Sequence, residues 1–261
     1  MYMIIGVSIL CFWALWWWGV GVLWSALITA IIVHFVYPEL VLFLLDMEVF
    51  VFLLKQKIGA VYEDLLFDDT KYEGHLKGEG DHTIYGEITL MGMRKIVREA
   101  KRVGVTGVFI DLGCGVGKSL VLAKGLGMKT VVGVEIVEGR YKKAMAMREK
   151  LPVGMKEDMH VVCGDAFSGE TEIPFIGSGE RVIIFASNLL WSDEMNERLY
   201  ELFLSKCYKG SLMVCSSYYK KEKGAGDWVL RDIPGIRMVK KILVPMSWEL
   251  MSECYLLEKV D

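Results

Sequence analysis

The sequence predicts an α/β domain in which helices cover both faces of a mostly parallel β-sheet, preceded by a membrane-spanning segment. Two observations support this fold class. Apolar runs of strand length alternate along residues 84–261 with segments of helical periodicity, and residues 1–38 carry no Asp, Glu, Lys or Arg. Parallel strands need crossover connections, which are usually helices, and these helices bury the sheet on both faces.

Each element of the domain follows from its local pattern. Apolar residues at helical spacing predict helices over residues 90–103, 119–126, 139–151 and 192–205. Short apolar runs predict strands over residues 105–112, 129–134, 160–164, 181–186 and 211–217. Two further strands are expected to close the sheet as an antiparallel pair, at residues 238–244 and 254–260. The predicted sheet therefore has seven strands.

The first 54 residues are predicted to form a membrane anchor. As a single helix the uncharged stretch would be roughly 55 Å long, well beyond the ~30 Å hydrocarbon core. It fits either a hairpin of two short spans that turns near residues 18–21, or one tilted span followed by an interfacial helix. A cleaved signal peptide is disfavoured because the stretch lacks a basic n-region and a small-residue cleavage site. Residues 55–83 are then a juxtamembrane connector, and residues 84–261 form the α/β domain.

Charge and cysteine usage favour a cytoplasmic domain and exclude several classes of site. The first basic residue is Lys55, directly after the apolar region, which favours a cytoplasmic position for the rest of the chain. The six cysteines and four histidines are dispersed, so neither a disulfide framework nor a metal site is predicted. The net charge of −3 does not indicate a basic surface of the kind that binds nucleic acid, so no nucleic-acid binding is expected.

A glycine-rich loop, Asp-Leu-Gly-Cys-Gly-Val-Gly-Lys-Ser, occupies residues 111–119 after the first predicted strand. A Walker A phosphate loop needs a glycine where Leu112 stands, and a dinucleotide fingerprint needs one where Lys118 stands. The glycines that remain are Gly113, Gly115 and Gly117. A loop of this shorter kind lets the backbone pass close to a nucleoside that carries no pyrophosphate.

Acidic residues end the first three strands of the predicted sheet. Asp111 stands at the end of the first strand, next to the glycine loop. Glu135 ends the second strand, where a carboxylate can accept hydrogen bonds from both ribose hydroxyls. Asp165 ends the third strand and is placed to meet the edge of an adenine. Together with the glycine loop, this series predicts S-adenosylmethionine as the ligand.

These stretches resemble class I, seven-strand methyltransferases with a Rossmann-like sheet, and more narrowly the histone-lysine methyltransferases named for disruption of telomeric silencing. The resemblance covers roughly residue 84 to the C-terminus and rests on the glycine loop and on residues 85–87, 133–135 and 185–188. It implies that Glu87 binds the methionine end of S-adenosylmethionine and that Tyr85 helps to close the site. It also implies that Phe167, one residue later than the family's aromatic, stacks on the adenine.

The acceptor side of the site departs more from the family. The first Asn of the family's Asn-Asn pair is Ser187 here, and the second, Asn188, is expected to orient the acceptor near the methyl group. Candidate walls of an acceptor channel are Trp191, Tyr218 and Tyr219. The residues that follow the glycine loop are expected to be an exposed helix start without a catalytic role, namely Lys118 and Ser119.

The resemblance implies an S-adenosylmethionine-dependent methyltransferase that modifies a protein lysine, and the uncharged N-terminal stretch adds the expectation that this enzyme is anchored in a membrane. The family's basic nucleosome-binding segments are absent, so its methyl-donor site carries over better than its nucleosome substrate. Two alternatives stay open, namely methylation of a lipid or lipophilic small molecule, and a non-catalytic membrane-bound interaction module. The second is disfavoured because a sheet can fold without the acidic strand ends and the glycines of the loop.

Overall fold

The computed structural model describes residues 87–221, 228–246 and 251–261. The predicted membrane anchor at residues 1–54, the connector at 55–83 and Tyr85 lie outside this part of the chain. Within the described ranges, no helix combines the length and the apolar character needed to cross a lipid bilayer.

The described chain alternates strands and helices from its first helix onward. The helices are α1 (Leu90–Arg102), α2 (Lys118–Gly125), α3 (Glu138–Glu149), α4 (Val153–Lys156) and α5 (Asp193–Lys206). The first strands are β1 (Val108–Leu112), β2 (Thr130–Glu135), β3 (Met159–Cys163), β4 (Val182–Ala186) and β5 (Leu212–Cys215). The remaining strands are β6 (Tyr219–Lys221), β7 (Trp228–Leu230), β8 (Ile236–Val244) and β9 (Ser252–Lys259).

The main sheet has seven strands in the order β3-β2-β1-β4-β5-β9-β8. The strands β1 to β5 pair in parallel, whereas β9 pairs antiparallel with both β5 and β8. The central strands β1, β4 and β5 are buried along their whole length, as expected for strands that are covered on both faces. The prediction of a mixed seven-strand α/β sheet with a closing antiparallel pair is confirmed.

Two small elements were not predicted from the sequence. They are the one-turn helix α4 and a separate two-stranded sheet formed by β6 and β7. Segments of three or four residues are too short to display a helical or an alternating period, so the pattern of apolar residues carries no signal for them.

The start of α1 is fixed against the end of β8. Thr89 caps the helix, and both its Oγ1 and its N–H donate hydrogen bonds to the Pro245 carbonyl, at 2.9 and 3.2 Å. Ile88 forms an isolated antiparallel bridge with Met246. These contacts hold the preceding residue, Glu87, in a fixed place, and it lies against the cleft described below.

Candidate active site

The glycine loop leads from β1 into α2 through three residues with left-handed backbone. The angle φ is 99° at Gly113, 56° at Gly115 and 86° at Gly117. Glycine adopts this region without the steric cost that other residues have. The loop is also tied to the next strand, because the N–H groups of Gly113 and Cys114 both donate to the Val134 carbonyl, at 2.8 and 3.0 Å. The turn therefore needs the glycines that the sequence singled out.

Asp111 lies near the end of β1, close to the loop. Its side chain is buried, and the Ser119 hydroxyl donates a hydrogen bond to its Oδ2. Burial raises the pKa of Asp111 to about 7; the hydrogen bond from Ser119 opposes this rise, and the nearby Glu135 carboxylate adds to it. Burial thus favours the protonated form of this carboxyl group more than in an exposed aspartate.

Glu135, the last residue of β2, organises the loop from the other side. Its Oε2 accepts the N–H of Gly115 at 2.7 Å, and its Oε1 accepts the N–H of Val137 at 2.8 Å. The carboxylate is buried. Its place at a strand end agrees with the predicted ribose-binding position. The structure shows a second role for Glu135, because its carboxylate also holds the backbone of the glycine loop. The contact with ribose stays a prediction.

Lys118 and Ser119 are not the exposed helix start that was predicted. Lys118 is only 2% exposed and Ser119 only 5%. The Lys118 ammonium lies 3.0 Å from the Glu87 carboxylate, which is itself buried, so the two side chains form a buried ion pair. The prediction failed because every residue of α2 from 118 to 123 is buried, and such a helix has no solvent-facing side at its start.

A small cleft of about 20 Å³ opens between these groups. Glu87, Asp111 and Lys118 provide its charged groups, and Phe185 and Ser187 provide the wall at the end of β4. The cleft lies beyond the carboxyl ends of adjacent parallel strands, β1 and β4, which is where α/β sheets bind ligands. The structure therefore brings the predicted donor-binding residues on β1, the glycine loop and the segment before α1 to one place.

The residues at the third strand end are more exposed than those at the first two. Asp165 follows β3, and its Oδ1 accepts the N–H of Phe167 at 2.8 Å. Arg198 of α5 lies 3.5 Å from the Asp165 carboxylate, donates to the Phe167 carbonyl at 2.8 Å and covers the Phe167 ring at 5.3 Å. Trp191 packs edge-on against the same ring at 5.7 Å. The predicted adenine contacts of Asp165 and Phe167 stay predictions.

Asn188 is completely buried at the carboxyl end of β4. Its Nδ2 donates to the Asn196 side chain at 2.6 Å and to the Ser217 carbonyl at 2.9 Å, and its Oδ1 accepts the Ser217 N–H at 2.9 Å. Ser217 follows β5, so this carboxamide joins the ends of β4 and β5. Both N–H groups of the carboxamide are used in these hydrogen bonds and the side chain is fully buried, and its contact with an acceptor stays a prediction.

The candidate channel walls separate into two groups. Tyr218 is a core residue with 3% exposure, and its ring lies 5.8 Å from that of Tyr200 and 6.1 Å from that of Tyr255. Its predicted place on a channel wall is therefore corrected to one in the core. Trp191 is half-buried beside Phe167, on the same side as the third strand end. Tyr219 is the first residue of β6.

Sequence reasoning missed two residues that shape the site. Lys118 could have been recognised as buried, because the apolar run Leu-Val-Leu-Ala that follows leaves its helix without a polar face. Arg198 gave no such signal, because it stands among the charged residues of an ordinary amphipathic helix. Its role depends on how that helix packs against the loop after β3.

The sequence profile of one protein family, described as histone methylation protein DOT1, matches residues 75–225. This range covers the glycine loop, all three acidic strand ends and Asn188. The chain belongs to the DOT1 family. It is therefore an S-adenosylmethionine-dependent methyltransferase, as the sequence predicted, and the alternative of a non-catalytic interaction module is set aside.

Solved structures with similar folds include other methyltransferases. An RNA methyltransferase from Salinibacter ruber, solved with S-adenosylhomocysteine, is 17% identical over 64% of this chain and 89% of its own, with a TM-score of 0.42. A putative methylase from Haemophilus influenzae is 10% identical over 65% and 88%, with a TM-score of 0.47. Because both TM-scores are below 0.5, the assignment rests on the DOT1 family match. No curated protein is significantly similar in sequence to the chain.

The residues of the cleft fit the donor of the DOT1 family. S-adenosylmethionine supplies an activated methyl group on a positively charged sulfur. The glycine loop offers close backbone approach, since a Cβ at Gly113 would meet no atom within 4 Å. Glu135 has carboxylate lone pairs beside the loop, and the amino-acid end of the donor would find opposite charges in the cleft. The predicted cofactor and the observed residues therefore agree.

Proposed function

We propose that this member of the DOT1 family transfers methyl groups to the side-chain amine of a protein lysine while attached to a membrane. The proposal of lysine as the acceptor is supported by the match to a family of histone methylation proteins. This match extends from the donor site through β4, where the acceptor would enter. The nucleosome itself is not part of the proposal, since the chain carries a net charge of −3.

The chemistry needs a neutral amine aligned with the methyl group. Phe185 and Ser187 at the end of β4 form the wall of the cleft and provide an apolar ring beside a small polar side chain. In this proposal the Phe185 ring provides an apolar face that strips water from an incoming lysine, and loss of water favours the uncharged amine without a dedicated base. Alignment of the two reactants is worth about 7–11 kcal/mol in well-oriented reactions.

In this proposal Asn188 acts by positioning. Because its carboxamide ties the end of β4 to Ser217 after β5, it would hold the β4 wall of the cleft, where the acceptor enters, in place. Tyr85 would close the donor site from the segment before Glu87, as the family resemblance implies.

The membrane proposal rests on the sequence. Residues 1–54 would form the anchor, residues 55–83 the connector, and residues 84–261 a catalytic domain that faces the cytoplasm. The uncharged stretch 1–38 and the position of Lys55 support this arrangement. The cysteines in the described part of the chain are free thiols, which suits a reducing compartment. An anchored enzyme would reach lysines of membrane proteins and of proteins that come to the membrane.

A lipid or lipophilic small molecule is the second candidate for the acceptor. Leu189 and Leu190, directly after Asn188, are 51% and 47% exposed. Two exposed apolar side chains so close to the acceptor side could contact a lipophilic substrate or a membrane surface.

The test is a transfer assay with the full chain. The protein would be incubated with S-adenosylmethionine carrying a tritiated methyl group and with membranes that hold it. Solvent extraction would separate labelled lipid from labelled protein, and mass spectrometry would locate methyl-lysine. Label on lysine supports the proposal, label in the organic phase supports the second candidate, and label on other protein side chains contradicts both.

Two variants control this assay. Glu135→Ala should abolish transfer, because it removes the carboxylate that orders the glycine loop. Glu138→Gln changes an exposed residue that pairs with Lys142 on the surface of α3, and it should transfer methyl groups at the wild-type rate. Separating soluble from membrane fractions would test the anchor independently, since full-length protein found entirely in the soluble fraction would contradict it.

A further inference from the structure

We propose that the outer face of α1 is a binding surface for anionic lipid, and that a groove beside this helix takes the phosphate of a lipid headgroup. The choice of lipid rests on the proposed membrane attachment, whereas the charge of the surface follows from the described residues alone. The inference adds a membrane contact made by the folded domain to the anchor proposed for residues 1–54.

Five of the six residues on the outer face of α1 are basic. Spacings of three, four and seven residues place these six on one side of the helix. They are Met91, Arg94, Lys95, Arg98, Lys101 and Arg102. Between residues 88 and 110 the only acidic residue is Glu99, so this stretch has a net charge of +4 within a chain whose net charge is −3. The net charge of the whole chain therefore conceals a basic surface.

The Glu99 carboxylate balances only part of this charge. It is buried, and Arg102 and Lys240 of β8 each lie 3.2 Å from it, while Arg98 lies 4.0 Å away. Three positive groups thus share one negative group. The Arg98 and Arg102 side chains are 66% and 64% exposed, so most of each is accessible to a ligand.

A groove of about 390 Å³ lies between α1 and the end of α2. Within the described residues its lining has four basic side chains, two apolar ones and no acidic one, namely Arg94, Arg98, Lys101, Arg102, Val97 and Leu126. Lys101 joins the two helices, because its ammonium donates to the Leu126 carbonyl at 2.9 Å. The volume is within the range of sites for small ligands. Guanidinium groups around an apolar base suit a phosphate that is attached to hydrocarbon.

The order of the charges on α1 does not serve the stability of the helix. Arg94 and Arg98 are four residues apart, as are Arg98 and Arg102, and like charges at this spacing destabilise a helix. A helix face that only had to be soluble could carry both signs, and opposite charges at the same spacing would stabilise it. An anion bound among the arginines would remove the repulsion, so the pattern is better explained by a ligand.

Apolar side chains beside the basic groups favour lipid over nucleic acid or a free phosphate. Met91, on the same face of α1, is 44% exposed, and Leu126 lines the groove. A membrane surface offers both phosphate and hydrocarbon, and each Lys or Arg near an anionic surface strengthens association by about 5-fold. In the sequence α1 is also the first helix after the proposed anchor and connector, so attachment would raise its effective concentration at the lipid surface.

The experiment measures the reactivity of Lys101 in the full chain reconstituted into nanodiscs. Neutral discs contain phosphatidylcholine alone, and anionic discs contain phosphatidylcholine mixed with phosphatidylserine. An uncharged acylating reagent modifies accessible lysines, and mass spectrometry gives the rate at each position. Labelling of Lys101 should be at least about 5-fold slower in anionic discs than in neutral discs. Labelling of Lys142, whose side chain is 69% exposed on α3, should be the same in both.

Charge reversal on α1 tests the arginines directly. Arg94→Glu/Arg98→Glu should abolish the protection of Lys101, because it turns two attractive groups into repulsive ones. Lys142→Glu/Lys143→Glu on α3 makes the same change in net charge and should keep the protection. If the reversal does not fold, Arg94→Gln/Arg98→Gln should weaken the protection in the same direction. Thermal unfolding of each variant would be recorded alongside.

Competitors identify the source of the phosphate. Short duplex DNA or inorganic phosphate is added to the protein in neutral discs, and the labelling of Lys101 is measured again. If DNA protects Lys101 as strongly as anionic discs do at the same phosphate concentration, the surface binds nucleic acid and the lipid inference fails. Equal protection by inorganic phosphate would show a site for a free anion and would also contradict the inference.

The outcomes separate this inference from the proposed anchor. If the protein inserts into both kinds of disc and Lys101 reacts equally in them, the inference fails and the anchor stands. Protection that persists in the folded charge-reversal variant also overturns the inference. If the protein does not insert, the labelling is repeated with neutral and anionic vesicles. Protection by anionic vesicles alone would then support the inference while the anchor proposal fails, and equal reactivity with both would contradict the two together.

Discussion

The two ends of the donor site are built in different ways. At the glycine-loop end, Asp111 and Glu135 are buried, and a side-chain hydroxyl and backbone N–H groups hold them in place. At the other end, Asp165 is partly exposed, and the side chain of its ion-pair partner Arg198 is 40% exposed. That end opens into a groove of about 410 Å³, whereas the cleft at the first end measures about 20 Å³.

This difference separates the groups that are preorganised from those that a ligand must still arrange. Hydrogen bonds from a fixed backbone to a buried carboxylate keep their geometry whether or not a ligand is present. An exposed ion pair is screened by solvent and salt, and it contributes between nothing and about 1 kcal/mol. We therefore expect changes at the glycine-loop end to disturb both stability and binding, and changes at the Asp165 end to disturb binding alone.

The largest effect is expected for Glu135→Ala. The substitution leaves the N–H groups of Gly115 and Val137 without their acceptor, and an unsatisfied buried donor costs about 1–3 kcal/mol. We expect the free energy of unfolding to fall by about 2–5 kcal/mol and the affinity for S-adenosylhomocysteine to fall more than about 100-fold. Urea unfolding and calorimetric titration would measure the two quantities.

The matched variant for this prediction is Glu138→Gln, three residues further along on the surface of α3. It should change neither the unfolding curve nor the binding isotherm. If Glu135→Ala were as stable as wild type, the glycine loop would hold its shape without the carboxylate, and the contrast between the two ends would disappear.

A smaller loss of stability is expected when a side chain is added at Gly133, where β2 packs against the glycine loop and α2. A Cβ at Gly133, in the middle of β2, would lie 2.5 Å from Cys114 Sγ and 2.7 Å from Leu120 Cδ1. Gly133→Ala therefore pushes the loop away from β2, and overpacking of this kind costs about 1–3 kcal/mol. Thermal unfolding should show the loss, and the affinity for S-adenosylhomocysteine should fall with it.

Two variants sharpen this test. Adding Cys114→Gly to Gly133→Ala removes the clash with Cys114 and should restore part of the stability. Gly139→Ala, in α3, has no atom within 4 Å of the new Cβ, so it should be neutral or slightly stabilising. Equal losses for Gly133→Ala and Gly139→Ala would show that space beneath the loop does not matter.

A third prediction concerns pH. The folded-state pKa of Asp111 is raised to about 7, above its value near 4 in an unfolded chain. Its contribution to stability is therefore complete below about pH 4 and is lost as the pH rises toward 7. The slope from this one group is at most about 1.4 kcal/mol per pH unit.

The measurement is urea unfolding of wild type and Asp111→Asn between pH 5 and pH 8. The difference in stability should shift in favour of the variant as the pH rises, because the amide has no proton to lose. A difference that stays constant across this range would mean that Asp111 titrates near its ordinary value, and that burial does not control it.

The contrast between the two ends also explains what the sequence could predict. Asp111 and Glu135 stand at the ends of apolar runs, and a parallel sheet brings such ends to one edge, so local pattern and topology are enough to place them. The pairing of Lys118 with Glu87 depends on the contact of the start of α1 with the end of β8, which joins residues far apart in the chain. Arg198 depends on the course of residues 164–181, which form no helix in the structure and therefore gave no periodic signal.

The smallest effect is expected for Arg198→Ala. The variant loses the 3.5 Å contact with Asp165, the hydrogen bond to the Phe167 carbonyl and the cover of the Phe167 ring. Since this side chain is exposed, the free energy of unfolding should change by less than about 1 kcal/mol. The affinity for S-adenosylhomocysteine should fall by less than about 5-fold, because the ligand itself can order the loop after β3.

Arg198→Lys distinguishes the two contributions of this residue. It keeps the charge beside Asp165 but lacks the planar group that covers the ring and forms directed hydrogen bonds. If it binds as Arg198→Ala does, the stacking and the carbonyl contact order the loop, and if it binds as wild type does, charge alone is sufficient. A loss in either variant as large as that in Glu135→Ala would mean that the Asp165 end is as preorganised as the glycine-loop end, and the distinction between them would have to be abandoned.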